Sequence, residues 1–127
     1  MKTILVDTVD CFVSRDGEMF VDMYTLLEKF PNRKIVVTNA DAEQSKKFKL
    51  DALPYEVFTL SHKPEKTDPV YFKTLLKQYD LLPEEVVYFE HNSLAVESAY
   101  SVGITAYMYD EAKKDILSLA QFLDTNL

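Results

Sequence analysis

The sequence predicts an α/β fold in which helices cover both faces of a five-stranded parallel sheet. Three observations predict it. Short apolar runs alternate with helical segments five times along the 127 residues. Several runs are apolar almost throughout, as strands buried on both faces are. Three of them end in polar side chains, namely Asp7, Thr38 and Glu90, and ligands bind at the carboxyl edge of such a sheet.

The first apolar run, residues 3–6, ends in Asp7, which makes Asp7 the first candidate for chemistry. Asp10 follows within one helical turn's reach and is the second candidate. The simpler alternative is that Asp7 only caps the following loop, as aspartate often does. Asp-Gly at residues 16–17, between apolar runs, is a hairpin signal. We therefore expect a small β-flap at about residues 11–20, close to Asp7.

Helical and strand patterns then alternate to residue 123. Four apolar residues at near-helical spacing predict a first helix: Val21, Tyr24, Leu27 and Phe30. Pro31 and Asn32 end this helix. The further predicted elements are a strand at 34–38, a short helix capped by Asp41, a strand at 55–60, a helix begun by Asp68 and Pro69, a strand at 86–89, a helix from Asn92 or Ser93 to Val102, a strand at 104–109 and a final helix at 111–123.

Composition limits the classes of partner. A net charge of −7 disfavours nucleic acid and anionic membrane surfaces, since both repel an acidic protein. The single cysteine, Cys11, fits a reducing compartment. No apolar run approaches the roughly 20 residues of a membrane span. We expect one cytoplasmic domain over residues 1–127 that binds neither nucleic acid nor membrane.

Four separated stretches match the motif order of one family. They are Asp7 after strand one, Thr38 after strand two, residues 66–72 (KTDPVYF) opening a helix, and a polar cluster at residues 90–93 followed by an Ala-rich helix. The sequence resembles the haloacid dehalogenase superfamily of phosphohydrolases, and residues 66–103 are the specific part. The resemblance implies a three-layer, Rossmann-like sheet in the strand order 3-2-1-4-5. It also implies that Asp7 and the cluster at residues 90–93 converge.

The resemblance implies a role for each matched residue. Asp7 holds the place of the nucleophile that forms an aspartyl phosphate. Thr38 matches the hydroxyl that binds a phosphoryl oxygen, and Lys66 matches the cation that neutralises developing charge. Asn39 and Asn92, beside these motifs, are further candidates for substrate binding.

Two motifs depart from the family pattern. The family's general acid, two residues after the nucleophile, is Val9 here, and valine cannot donate a proton. Losing a general acid removes about 10²–10⁴ in rate. The family's metal-binding acids are His91 and Ala95 here, which leaves Asp7, Glu90 and His91 as candidate ligands. The two carboxylates favour Mg²⁺, and the histidine shifts the preference toward Mn²⁺ or Zn²⁺. A site that works without metal is the alternative.

Only the short flap separates Asp7 from the first helix, so we expect no large cap and an open site. Such an open site suits a phosphorylated small molecule or macromolecule as substrate. Alternatively, a second copy of the chain or a protein partner closes the site. We therefore predict a capless phosphatase of weak or lost activity.

The alternatives are a non-catalytic binding domain and, third, a metal-independent dehalogenase, which Asn92 favours and Ala95 disfavours. A response-regulator receiver is set aside, because residues 59–62 lack its phosphoacceptor aspartate.

Overall fold

Five parallel strands form a single sheet in the order β3-β2-β1-β4-β5 in a computed structural model that describes all 127 residues. This is the predicted strand order. The elements are β1 (Thr3–Asp7), α1 (Val21–Leu27), β2 (Lys34–Thr38), α2 (Ala42–Lys47), β3 (Glu56–Thr59), α3 (Pro69–Gln78), β4 (Val86–Glu90), α4 (Ser93–Ser101), β5 (Thr105–Met108) and α5 (Ile116–Asn126). Short 3₁₀ turns at Leu50–Ala52 and Pro83–Glu85 precede β3 and β4.

The core consists of two apolar layers, one on each side of β1, which is buried along its whole length. Alternate residues of a strand face opposite sides, so Ile4 packs with α1 and α5 while Leu5 packs with α3 and α4. Large side chains such as Phe72 and Tyr88 are fully buried in the second layer. Each such apolar side chain contributes about 1.5–3 kcal/mol through burial. This packing fixes the ends of the strands relative to one another.

The register places three functional candidates at one edge of the sheet. Asp7 of β1 pairs with Val37 of β2, so Thr38 follows immediately beside it. On the other side Val6 pairs with Phe89, which puts Glu90 of β4 level with Asp7. The polar strand ends predicted from the sequence therefore meet.

Side-chain caps begin the helices where the sequence predicts them. The carboxylate of Asp41 accepts from the Gln44 amide at 2.9 Å, and the Gln44 side chain completes a capping box. Asp68 caps α3 and is followed by Pro69 at the first helical position. These local signals are confirmed.

Two details of the helical prediction are wrong. The last helix begins at Ile116 rather than at residue 111, because the Asp110 carboxylate accepts from two following amides and holds a turn, and Asp115 then caps the helix. In α1, Val21 is 62% exposed, and the core-facing residues include Met23 instead. A spacing of three residues falls short of the 3.6-residue helical period and so drifts around the helix.

The segment between β1 and α1 is short. A turn closes with the Ser14 amide donating to the Glu18 carbonyl at 2.8 Å, and the flanking residues Val13 and Met19 form one antiparallel bridge. None of the helices combines the length and the apolar character that crossing a bilayer requires.

Candidate active site

A cavity of about 230 Å³ lies at the carboxyl edge of the sheet and collects the predicted site residues. It is lined by all seven of them: Asp7, Thr38, Asn39, Lys66, Glu90, His91 and Asn92. Val9 and Ala95, which stand where the family has acids, line the same cavity. The structure thus brings together residues that are far apart in sequence.

Lys66 connects the two buried carboxylates. Its ammonium Nζ lies 2.8 Å from Asp7 Oδ1 and 2.6 Å from Glu90 Oε1. Burial alone raises the pKa of Asp7, but the charge of Lys66 and a hydrogen bond from His91 outweigh it and hold that pKa well below its usual range. Burial lowers the pKa of Lys66, yet the two carboxylates raise it above its usual value. Asp7 is therefore ionised at neutral pH.

The backbone of Lys66 is fixed from the neighbouring strand end. Its amide donates to Asn39 Oδ1 at 2.7 Å, so Asn39 serves to hold the lysine in place. Asp68, two residues later, caps α3 and anchors the other side of this loop. The backbone of Lys66 is therefore held at the place from which its side chain reaches the two carboxylates.

Thr38 retains a hydrogen to donate. Its Oγ1 accepts from the Ala40 amide at 3.1 Å, and a hydroxyl that accepts in this way can still donate its own hydrogen into the cavity. The Tyr71 hydroxyl accepts from the Thr38 amide at 3.1 Å and donates to the Thr38 carbonyl at 2.9 Å. The buried tyrosine therefore fixes the strand end that carries this hydroxyl.

His91 is the second cation of the site. Its Nδ1 hydrogen-bonds Asp7 Oδ2 and lies 3.3 Å from Glu90 Oε2. The hydrogen bonds to Asp7 and then to Glu90 raise the pKa of His91 to about 10 against the opposing effect of burial. The imidazole is protonated at neutral pH, so Lys66 and His91 balance the two carboxylates.

Tyr88 is a participant that the sequence analysis missed. Its hydroxyl donates to Glu90 Oε1, while Glu90 Oε2 accepts from the amides of His91 and Asn92 at 3.1 Å each. Residues two apart on a strand share a face, so the Tyr-x-Glu spacing was the signal that could have found it. Burial and the nearby Glu90 charge raise the pKa of Tyr88 well above its usual value.

Two polar residues at the rim of the cavity, Asp10 and Asn92, form contacts with neighbouring residues of the chain. Asp10 has a left-handed backbone, with φ of 66°, and its carboxylate is paired with Arg15 at 3.0 Å. Asn92 Oδ1 accepts from the Leu94 amide at 3.0 Å and caps α4. Asp10 lines the cavity, but its carboxylate is thus engaged by Arg15.

Solved structures share this architecture. D,D-heptose 1,7-bisphosphate phosphatase of B. bronchiseptica, complexed with magnesium and phosphate, superposes with a TM-score of 0.72 at 12% identity over 100% of both chains. A second structure is that of a haloacid dehalogenase family enzyme of Bacteroides thetaiotaomicron, an aspartate-to-alanine variant complexed with magnesium and inorganic phosphate. It superposes with a TM-score of 0.70 at 15% identity over 94% of this chain and 98% of that one. The chain has the haloacid dehalogenase fold. The fold implied by the motif resemblance is thereby confirmed.

Other chains with this fold are longer. The Unknown transcript 4 protein of Saccharomyces cerevisiae matches 69% of this chain with a TM-score of 0.54 and 16% identity, and this chain spans 46% of its length. No protein-family model matches the sequence, and a search of curated proteins gives no significant match. At these identities the haloacid dehalogenase likeness concerns the fold.

The donor set does not fit the magnesium ion that this fold implies. Ligand atoms of Asp7, Glu90 and His91 lie within 4.8 Å of one another, the proximity a metal site needs. However, all four carboxylate oxygens already accept hydrogen bonds from the protein itself. Mg²⁺ prefers an octahedron of oxygen ligands, and the third group here is an imidazole that donates.

Proposed function

We propose that this chain is a haloacid dehalogenase-like hydrolase of phosphatase type, with Asp7 as nucleophile and with low turnover. One observation carries the proposal: an ionised, buried Asp7, the Thr38 hydroxyl and the Lys66 ammonium line one cavity, with Lys66 Nζ 2.8 Å from Asp7 Oδ1. Three groups that are separate in sequence and complementary in chemistry are typical of covalent phosphoryl transfer.

The proposed reaction has two steps. An Asp7 carboxylate oxygen attacks phosphorus, the bond to the leaving oxygen breaks, and an aspartyl phosphate forms. Water then attacks phosphorus, which releases inorganic phosphate and returns the Asp7 carboxylate. Thr38 donates to a phosphoryl oxygen, and Lys66 balances part of its charge.

Two features support low turnover. Val9 cannot protonate the leaving oxygen, so an alkoxide must take its proton from solvent, and the missing acid removes about 10²–10⁴ in rate. Lys66 and His91 are already balanced by Asp7 and Glu90, so a phosphate dianion brings charge that no further cation of the site neutralises. We therefore expect phenolate or acyl leaving groups to be accepted and simple alkyl phosphates to be poor substrates.

The experiment compares p-nitrophenyl phosphate with glycerol phosphate for the wild type, Asp7→Asn and a matched control, Asp124→Asn. Asp124 is an exposed residue of α5, outside the cavity. Each is assayed with Mg²⁺, with Mn²⁺ and with a chelator. We expect p-nitrophenol release that Asp7→Asn abolishes and Asp124→Asn keeps. Absence of Asp7-dependent release in every condition contradicts the proposal, and halide release from a chloroacid points to a dehalogenase instead.

A non-catalytic binding domain is the second candidate. It is favoured by the same hydrogen-bond network, since both oxygens of Asp7 are held by Lys66 and His91. An aspartate engaged in this way serves well as a structural anion. Phosphate binding by the wild type without Asp7-dependent turnover supports this candidate.

The short segment beside the cavity also suggests which molecules can enter it. Only residues 8–20, which include the turn closed by Ser14 and Glu18, separate β1 from α1, and so short a segment cannot form a large cap. A phosphorylated macromolecule or small molecule can approach such a site, and a second copy or another protein can cover it. Comparison of turnover on a phosphopeptide and on a sugar phosphate distinguishes the first two.

A further inference from the structure

We infer that the imidazole of His91 takes the place of a divalent cation, so that Asp7 and Glu90 are held together without metal. The inference concerns ion binding and stands whether or not Asp7 supports turnover. It explains why the donor set fits no magnesium ion although both carboxylates lie at the strand ends that the fold provides.

The geometry of His91 is that of a bridge. Nδ1 hydrogen-bonds Asp7 Oδ2 and lies 3.3 Å from Glu90 Oε2, so a single atom faces one oxygen of each carboxylate. A metal ion held by Asp7 and Glu90 would need the same carboxylates as ligands. Once Nδ1 donates a hydrogen to the carboxylate, it has no lone pair for a metal, so at this bridging position His91 acts as a substitute for an ion rather than as a ligand.

Lys66 forms the matching bridge on the opposite side. Its Nζ contacts Asp7 Oδ1 and Glu90 Oε1, the remaining oxygen of each carboxylate. An entering ion must therefore displace one of these two cations. The Lys66 side chain is 9% exposed and that of His91 is 23% exposed, so the imidazole occupies the more accessible side.

The decisive experiment replaces the imidazole by a carboxylate. His91→Asp removes the bridging donor and supplies a third acid, which creates the oxygen donor set that Mg²⁺ prefers. Thermal unfolding and calorimetric titration with MgCl₂ are compared for the wild type and the variant. We expect about 10 mM Mg²⁺ to raise the melting temperature of the variant by about 5 °C or more and to leave the wild type within about 1 °C.

The chain offers a matched control. His62 also follows a strand and lines the same cavity, but it bonds Glu65 and Gln44 rather than the buried carboxylates. We expect His62→Asp to gain no comparable Mg²⁺ response. If His91→Asp does not fold even with Mg²⁺, His91→Asn, which adds a neutral oxygen, is titrated instead.

The Mg²⁺ titrations have three outcomes that bear on the inference. Mg²⁺ binding by the wild type that Asp7→Asn abolishes overturns the inference, because the ion then coexists with His91. Absence of a metal response in both His91 variants also overturns it, since the imidazole is then not what excludes the ion. Weak binding that Asp7→Asn leaves intact belongs to the acids beside His91 at the rim, the half-buried Asp10 and the exposed Glu111, and only the increment over wild type that Asp7→Asn removes is then counted.

Discussion

Removal of the Lys66 charge by Lys66→Met tests the electrostatic account of the site. Lys66 contacts Asp7 at 2.8 Å and Glu90 at 2.6 Å, and all three side chains are at least nine-tenths buried. Breaking a buried ion pair by removing one partner destabilises by about 3–5 kcal/mol, because the other charge stays buried. Asp7 keeps His91 as a partner, so we expect a loss near the lower end, about 3 kcal/mol.

Urea unfolding at two pH values measures this loss. With a slope of about 2 kcal/mol per M, 3 kcal/mol lowers the urea midpoint by about 1.5 M. In the wild type, Lys66 helps to hold the pKa of Asp7 below its usual range. The stability that this interaction contributes is present above the unfolded pKa of an aspartate, about 4, and is lost as the pH falls below it. We therefore expect the difference between variant and wild type to stay constant near neutral pH and to shrink below about pH 4.

Two further variants control this result. Lys73→Met replaces an exposed lysine of α3, and we expect a change within about 0.5 kcal/mol. Adding Glu90→Gln to Lys66→Met removes the carboxylate that has lost its nearer cation and keeps only His91, at 3.3 Å, and we expect it to recover about 1 kcal/mol or more. A small, pH-independent loss in Lys66→Met, equal to that of Lys73→Met, would refute the assignment of Lys66 as the cation that balances the two buried acids.

Three further predictions each concern a single residue. Val9→Asp supplies the missing proton donor, so we expect glycerol phosphate turnover to rise by about 10²-fold or more and that of p-nitrophenyl phosphate much less; an equal rise for both substrates contradicts the role of position 9. Tyr88→Phe removes a donor to Glu90 Oε1, and we expect urea unfolding to show a loss of about 1–2 kcal/mol; no loss means that the hydroxyl does not support Glu90. Gly17→Ala places a Cβ 3.0 Å from the Phe48 carbonyl at a φ of +80°, and a thermal melt should show more than about 1 kcal/mol of destabilisation; an unchanged melt means that the turn relaxes.

The sequence predicted the fold through signals that act between near neighbours. Capping at Asp41 and Asp68 depends on amides two or three residues away, so both helix starts were visible in the chain. The alternation of apolar runs and helices indicated a parallel sheet, and the motif resemblance implied its order. The two errors, the start of α5 and the exposed Val21, arise where a local side-chain turn or a small drift in periodicity changes the outcome.

The sequence by itself indicated that acids and a hydroxyl stand at strand ends and that a lysine precedes the third helix, and the motif resemblance implied that Val9 stands in place of a proton donor. Only the tertiary structure decided which atoms meet. Lys66 and Asp7 are separated by 59 residues, His91 and Asp7 by 84, and their contacts depend on the register of three strands and the packing of α3. The bridging of Asp7 and Glu90 by two cations is therefore invisible in the chain. Periodicity and capping report on neighbours along the backbone, whereas hydrogen-bond partners are set by packing across the sheet.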